Sequence, residues 1–163
     1  MLKTILTTVL ALGLVSSVAR AAPAPEGGAT AKVVFQMTAG EIGKFDHRLV
    51  GAIERMAAWY EEQGRALKVA VVIHGDAYRL FVKDLASTPL EMDAEVAKTA
   101  AARAKTIARL HDELGVVFEV CGFGMKKHAL TPDMLMPNID VAPNAAIALV
   151  EWQNRGYAYL AVH

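Results

Sequence analysis

The only cysteine of the chain, Cys121, stands at the end of an apolar run and directly before two glycines, Gly122 and Gly124. Residues 116–127 read Val-Val-Phe-Glu-Val-Cys-Gly-Phe-Gly-Met-Lys-Lys, which predicts a buried strand that runs into a turn. Free backbone N–H groups can face a thiol in such a turn and stabilise its thiolate. Lys126 and Lys127 add positive charge to the same stretch.

Three interpretations of this thiol stay open: a reactive group that handles sulfur, a metal ligand, or a buried side chain that fills the core. A dithiol oxidoreductase is excluded for a single chain, because no second cysteine is present to resolve a disulfide. A Cys/His metal site would need Cys121 with His74 and His128, but no pair of these has the spacing typical of zinc sites.

His74 is the second candidate for chemistry, because it ends another apolar run and is followed by Gly75. In an open parallel sheet, ligands gather outside the carboxyl ends of the strands. His74 and Cys121 should therefore meet at one edge of the sheet, with His128 in the same cleft. His74 can serve there as a base, as a ligand, or as a hydrogen-bonding strap for the turn.

The elements that position these groups alternate between strand and helix patterns. Strands are predicted at residues 32–37, 67–74, 116–120, 139–141 and 157–162. Longer helices are predicted at 45–62 and 91–114, with short helical pieces at 77–82, 125–130 and 131–136. A last helix should begin with Pro143 at its first position and end at Gly156. The near-continuous apolar strands are typical of a parallel sheet, so the fold class is α/β.

The N-terminus has the pattern of an export signal. Lys3 is followed by an apolar stretch at residues 5–15, which is shorter than the ~18–20 residues that span a bilayer. Cleavage is predicted after Ala21, with residues 17–19 as the rival site. The predicted division is a signal peptide at 1–21, a flexible lead at 22–31 and one α/β domain at 32–163, located in a bacterial periplasm and free of the membrane after cleavage.

Composition excludes several function classes. The formal charge is +0, and removal of Lys3 and Arg20 with the signal would leave 15 basic and 17 acidic side chains. Without a basic surplus, and with only 7% aromatic residues, the sequence does not indicate nucleic-acid binding. No dinucleotide fingerprint, Walker loop or serine-hydrolase motif occurs, so no cofactor is expected.

Four segments together resemble the DsrE/DsrF-like family, and its small exported branch in particular. They are Lys-Val-Ala-Val-Val-Ile-His-Gly at 68–75, Val-Phe-Glu-Val-Cys-Gly at 117–122, Met-Leu-Met-Pro at 134–137 and Gln-Asn-Arg-Gly-Tyr-Ala-Tyr at 153–159. The likeness covers residues 32–162. It implies a three-layer α/β/α sandwich around a parallel sheet of five strands, and assembly as a homo-oligomer, a trimer or hexamer.

The resemblance also implies a chemistry for Cys121. Sulfur-relay members of the family, including the TusD type, carry sulfur as a persulfide on one cysteine and pass it to a thiol on a partner protein. Cys121 matches that position, which makes the chain a sulfur carrier rather than a turnover enzyme. His74, Gly75, Gly122, Gly124, Lys126 and His128 are then the surrounding binding residues. The alternatives are a non-catalytic module that binds a small ligand or metal in the His74/Cys121 cleft, and a structural oligomer with an inert cysteine.

Overall fold

The computed structural model describes residues 28–163, so the predicted signal peptide and most of the predicted lead lie outside the described residues. Five strands form one parallel sheet in the order β4-β3-β2-β1-β5. The strands are β1 (Ala31–Met37), β2 (Leu67–Ile73), β3 (Val117–Cys121), β4 (Ile139–Ala142) and β5 (Ala158–Val162). The α/β fold with a five-stranded parallel sheet, predicted from the apolar runs, is confirmed.

Six α-helices connect the strands. They are α1 (Gly51–Glu62), α2 (Tyr78–Phe81), α3 (Ala94–Lys98), α4 (Ala100–Leu114), α5 (Gly122–Lys127) and α6 (Ala145–Asn154). A wide π-helical segment, Lys44–Val50, leads into α1. Single 3-10 turns stand at Gly75–Ala77, Leu85–Ser87 and Pro132–Met134. Within residues 28–163, none of the helices has the length and apolar character needed to cross a membrane.

The helices cover both faces of the sheet. Phe118 and Glu119 are neighbours on β3 and therefore point to opposite faces. The Phe118 ring contacts Phe81, which contacts Phe45 of the π-helical segment, whereas Glu119 accepts a 2.7 Å hydrogen bond from Trp152 of α6. α6 thus lies opposite the π-helical segment. α6 connects β4 to β5, and this connection runs back across three strands, against the direction of the earlier connections. A right-handed crossover in the reverse direction places its helix on the opposite face of the sheet.

Three predicted boundaries are corrected by local hydrogen bonding. The predicted helix at 91–114 is two helices, because the chain turns at Thr99 and α3 starts only after Asp93, whose carboxylate caps it. Pro143 does not occupy a first helical position, since Asn144 caps α6 through the Ala146 N–H. The short helix predicted at 125–130 begins earlier, at Gly122, directly after β3.

Arg103 of α4 is the one charged side chain of the described core and is 3% exposed. Its Nε donates to the Leu80 carbonyl at 3.0 Å, and its Nη1 donates to the Thr99 hydroxyl at 2.6 Å. Burial lowers the pKa of Arg103, and the negative charges of Asp46 and Asp93 oppose that shift. The guanidinium therefore ties α4 to the end of α2.

We expect Arg103→Met to lower the free energy of unfolding by about 1–3 kcal/mol, because it leaves the Leu80 carbonyl without its donor. Lys105→Met, an exposed change on the same helix, should stay within about 0.5 kcal/mol of the wild type. Urea denaturation of both variants measures the difference. Equal losses in the two variants would contradict this role for Arg103.

Candidate functional site

Cys121 lies where the sequence predicted, at the carboxyl end of a buried parallel strand. It is the last residue of β3 and the residue before α5, and its free thiol is buried, with 6% of the residue exposed. The thiol makes no capping hydrogen bond to α5. The Phe123 N–H donates instead to the Pro143 carbonyl at 3.2 Å, so this amide of the predicted turn is already engaged.

Tyr78 completes the site and was missed by sequence reasoning. Its hydroxyl donates a buried 2.7 Å hydrogen bond to the carbonyl of Cys121, and its ring lies 5.5 Å from the ring of His128. Burial, followed by a hydrogen bond with Cys121 and the charge of its thiolate form, raises the pKa of Tyr78. Tyr78 therefore stays protonated as a donor. The only sequence signal for it is its place in the short segment after His74-Gly75.

The glycines after Cys121 are explained by close packing. A Cβ at Gly124 would stand 2.0 Å from the Tyr78 hydroxyl oxygen, and a Cβ at Gly122 would stand 2.9 Å from the Ala142 carbonyl oxygen. Both glycines thus allow α5 to lie directly over its neighbours. Position 75 requires glycine for a different reason, because its φ of +64° lies in the left-handed region that favours glycine.

His74 follows β2 directly and is a lateral neighbour of Cys121. Ile73 pairs with Val120, so the next positions of β2 and β3 are His74 and Cys121. Adjacent strands lie about 4.8 Å apart, and the extended backbone of His74 keeps its side chain on the same face as that of Cys121. The two residues that the sequence placed at one sheet edge are therefore brought together there.

A chain of hydrogen bonds fixes the state of the His74 ring. The Tyr159 hydroxyl donates to Oε1 of Gln36, which leaves Nε2 of Gln36 as the donor in its 2.6 Å contact with Nε2 of His74. The ring proton of His74 must then lie on Nδ1. Burial, and secondly the positive charge of His163, lower the pKa of His74, so the ring is held neutral.

The remaining predicted residues lie further from the thiol along the chain. Lys126 and Lys127 are exposed in the last turn of α5, whereas Cys121 precedes its first turn. His128 is half-buried and reaches the site through Tyr78. Over residues 28–163, no three His, Cys, Asp or Glu side chains form a group that could hold a metal ion. The Cys121, His74 and His128 metal site considered from the sequence therefore finds no support in the geometry.

Comparison with known proteins identifies the family. The model of the DsrE/DsrF-like family matches residues 31–162. The chain belongs to the DsrE/DsrF-like family. This covers all five strands, including β3 with Cys121 at its end, and agrees with the resemblance seen in the sequence.

The names of the individual relatives state no activity. An uncharacterized protein of Aquifex aeolicus (strain VF5) is 24% identical over 129 residues, which are 79% of this chain and 55% of the relative. The chain thus spans about half the length of that curated relative. MTH1491 of Methanobacterium thermoautotrophicum, a protein of unknown function, has a similar structure, with a TM-score of 0.63 at 18% identity over 80% of this chain and 98% of that one. The ychN protein of E. coli matches at a TM-score of 0.49 and 13% identity, over 81% and 99% of the two chains.

The lowered pKa of His74 predicts that the stability of the fold depends on pH. Unfolded, the residue titrates near its ordinary value of 6.5, and in the folded protein its pKa is lower. The unfolded chain then binds more protons, so the free energy of unfolding should fall as the pH drops below 6.5 and level off below the folded pKa. His74→Asn should weaken this fall, whereas His111→Asn, an exposed control, should keep it. NMR titration of the His74 ring checks the direction, and a folded pKa above 6.5 would contradict it.

Proposed function

We propose that this protein is a sulfur carrier that holds sulfane sulfur as a persulfide on Cys121. The observation that carries the proposal is a lone free thiol at the carboxyl end of a parallel strand, beside a neutral histidine, in a member of the DsrE/DsrF-like family. The lone thiol suits a carrier. A persulfide forms on one cysteine and leaves by attack of a second thiol that belongs to the acceptor.

The loading step is an exchange at sulfur. The Cys121 thiolate attacks the outer sulfur of a donor such as thiosulfate, an S–S bond forms at Sγ, and the S–S bond of the donor breaks. Sulfite leaves with the electron pair of that bond, and Cys121 is left as Cys–S–S⁻. For release, a thiolate of the acceptor attacks the outer sulfur, and Cys121 leaves as thiolate. The proton of the Cys121 thiol goes to solvent or to a nearby base before loading.

The surroundings of the thiol support storage more than rapid exchange. Because only 6% of Cys121 is exposed, a small anion reaches its thiol more readily than a bulky thiol does, which slows loss of the stored sulfur. Tyr78 holds the Cys121 carbonyl and so fixes the strand end that carries Sγ. His74, with its proton on Nδ1, offers a neutral N–H donor on the same face of the sheet.

The place of action and the assembly belong to the same proposal. The export pattern at residues 1–21 supports a periplasmic carrier that is free of the membrane after cleavage. The resemblance to sulfur-relay members supports a trimer or hexamer, and a partner protein that presents the acceptor thiol. Neither nucleic acid nor a cofactor has a part in this function.

A second candidate is a module that binds a small ligand without covalent chemistry. The observation that favours it is the burial of the thiol together with the hydrogen-bonded chain of Tyr159, Gln36 and His74, which forms a built polar surface next to Cys121. In that case Cys121→Ser would keep full affinity for the ligand. A carrier would lose its sulfur with the same substitution.

We expect the folded wild-type protein to gain the mass of one sulfur atom on Cys121 after incubation with thiosulfate. Cys121→Ser should gain nothing, and a reducing thiol should remove the added mass. Intact mass spectrometry, with peptide mapping to locate the sulfur, measures both results.

A relocated thiol serves as the matched control. Cys121→Ser combined with Ser87→Cys places the only thiol on an exposed turn. Its persulfide should be lost to glutathione about tenfold faster than the one on Cys121, because exposure governs exchange. If Cys121 resists both thiosulfate and alkylation in the folded protein, the carrier function is refuted.

A further inference from the structure

Among residues 28–163, no strand pairs with the outer edge of β5. In the strand order, β5 pairs with β1 on one side and is the last strand on the other. Four of its five residues, Ala158–Val162 except the last, are exposed. An edge of this kind presents unpaired N–H and C=O groups, which a further strand can use.

A row of cations runs beside this edge. Lys44, Arg48 and Arg55 follow one another at helical spacing, with Ala52 between the last two, so the four residues share one flank of the helix. This flank and β5 enclose a groove of about 410 Å³. Its lining also includes Leu160 of β5 and His163.

The side chains that line the groove are more positive than negative. Its lining residues include no Asp or Glu side chain. Across residues 28–163, the salt bridges use Arg79, Arg109 and His111, so none involves a cation of the row. Lys44 donates to the main-chain oxygen of His163, the last residue of the sequence, so the charge of Lys44 is engaged at the end of the groove. Arg48 and Arg55 keep their positive charge toward a ligand.

Apolar side chains extend the same surface. Leu160 is 42% exposed in the groove, and Trp59 is 51% exposed on the next turns of α1. A second depression of about 380 Å³, lined by Ala52, Arg55, Met56, Trp59 and Tyr60, continues from the groove through two shared residues, Ala52 and Arg55. Exposed large apolar groups beside uncompensated charges are typical of a protein-binding surface.

We propose that the edge of β5 and the basic row bind an extended acidic segment of a partner protein as a sixth strand. Alternate side chains of a strand lie about 6.6 Å apart, and successive turns of a helix about 5.4 Å apart. Acidic residues at every second position would thus lie close to the cations of the row, while the strand backbone pairs with β5.

Two features select this occupant over others. A second copy paired through its own β5 would bring two basic rows together, and like charges oppose that contact. Nucleic acid and anionic lipid match the charge, but they have no backbone amides to pair with the strand edge. This binding surface is inferred from the geometry of β5 and α1, so it is independent of the sulfur chemistry proposed for Cys121.

The test uses a fluorescent peptide of alternating Glu and Val, long enough to cover β5, and the full chain. Binding by anisotropy should be at least about tenfold weaker for Lys44→Glu/Arg48→Glu. The matched control, Lys98→Glu/Lys105→Glu, makes the same charge change at exposed lysines away from the groove and should bind like the wild type. Two further peptides carry N-methyl groups on alternate amides, one on the odd and one on the even positions. One of the two should not bind, because its methyl groups remove the backbone donors that face β5. Cys121→Ser should bind normally even if no sulfur is ever carried.

Several results would overturn the proposal. One is that a peptide of alternating Lys and Val binds as tightly as the peptide of alternating Glu and Val. Another is that both N-methylated peptides bind as tightly as the unmodified peptide. A third is tight binding of an anionic vesicle or oligonucleotide where the peptide does not bind. Sedimentation velocity supplies the fourth, because a mass that falls on Lys44→Glu/Arg48→Glu would show that copies of the chain occupy this face.

Discussion

The hydrogen bond from the Tyr78 hydroxyl to the carbonyl of Cys121 is the contact on which the site depends. It joins the segment after β2 to the last residue of β3, so the two strand ends that carry His74 and Cys121 are held together. Such a bond stabilises a fold by only about 1 kcal/mol net, but leaving a buried partner without it costs about 1–3 kcal/mol. The same contact requires a glycine at position 124, because any Cβ there would collide with the hydroxyl.

This constraint explains the unusual start of α5. A helix that follows a strand without a loop must fit its first turn against both neighbouring strand ends. Gly122 meets β4 and Gly124 meets Tyr78, so each glycine removes one collision. The result is a buried thiol next to a neutral histidine, on a residue whose own carbonyl is held by Tyr78. The persulfide that we propose for Cys121 would be shielded from bulk thiols in that position.

Local patterns predicted most of the fold, and tertiary contacts decided the rest. The apolar runs that became β2 and β3 are unambiguous, and their ends placed His74 and Cys121 correctly at one edge. Tyr78 could not be found this way, because a tyrosine in a short helical segment carries no period that points to a partner 43 residues away. The break at Thr99 was equally hidden, since a single threonine does not end a helix and Thr106 lies inside α4. The position of the cations beside β5 could not be read from the sequence either, because the contact between Lys44 and His163 joins residues 119 positions apart.

The central claim is that the folded protein carries sulfur at Cys121, at the carboxyl edge of β3. A crystal structure of protein loaded with thiosulfate tests this most directly. It should show one additional sulfur bonded to Sγ of Cys121 at about 2.05 Å, with the Tyr78 hydroxyl still on the Cys121 carbonyl. An unmodified Sγ in crystals of protein whose mass has risen by one sulfur atom would contradict the claim, because the sulfur would then reside elsewhere in the chain.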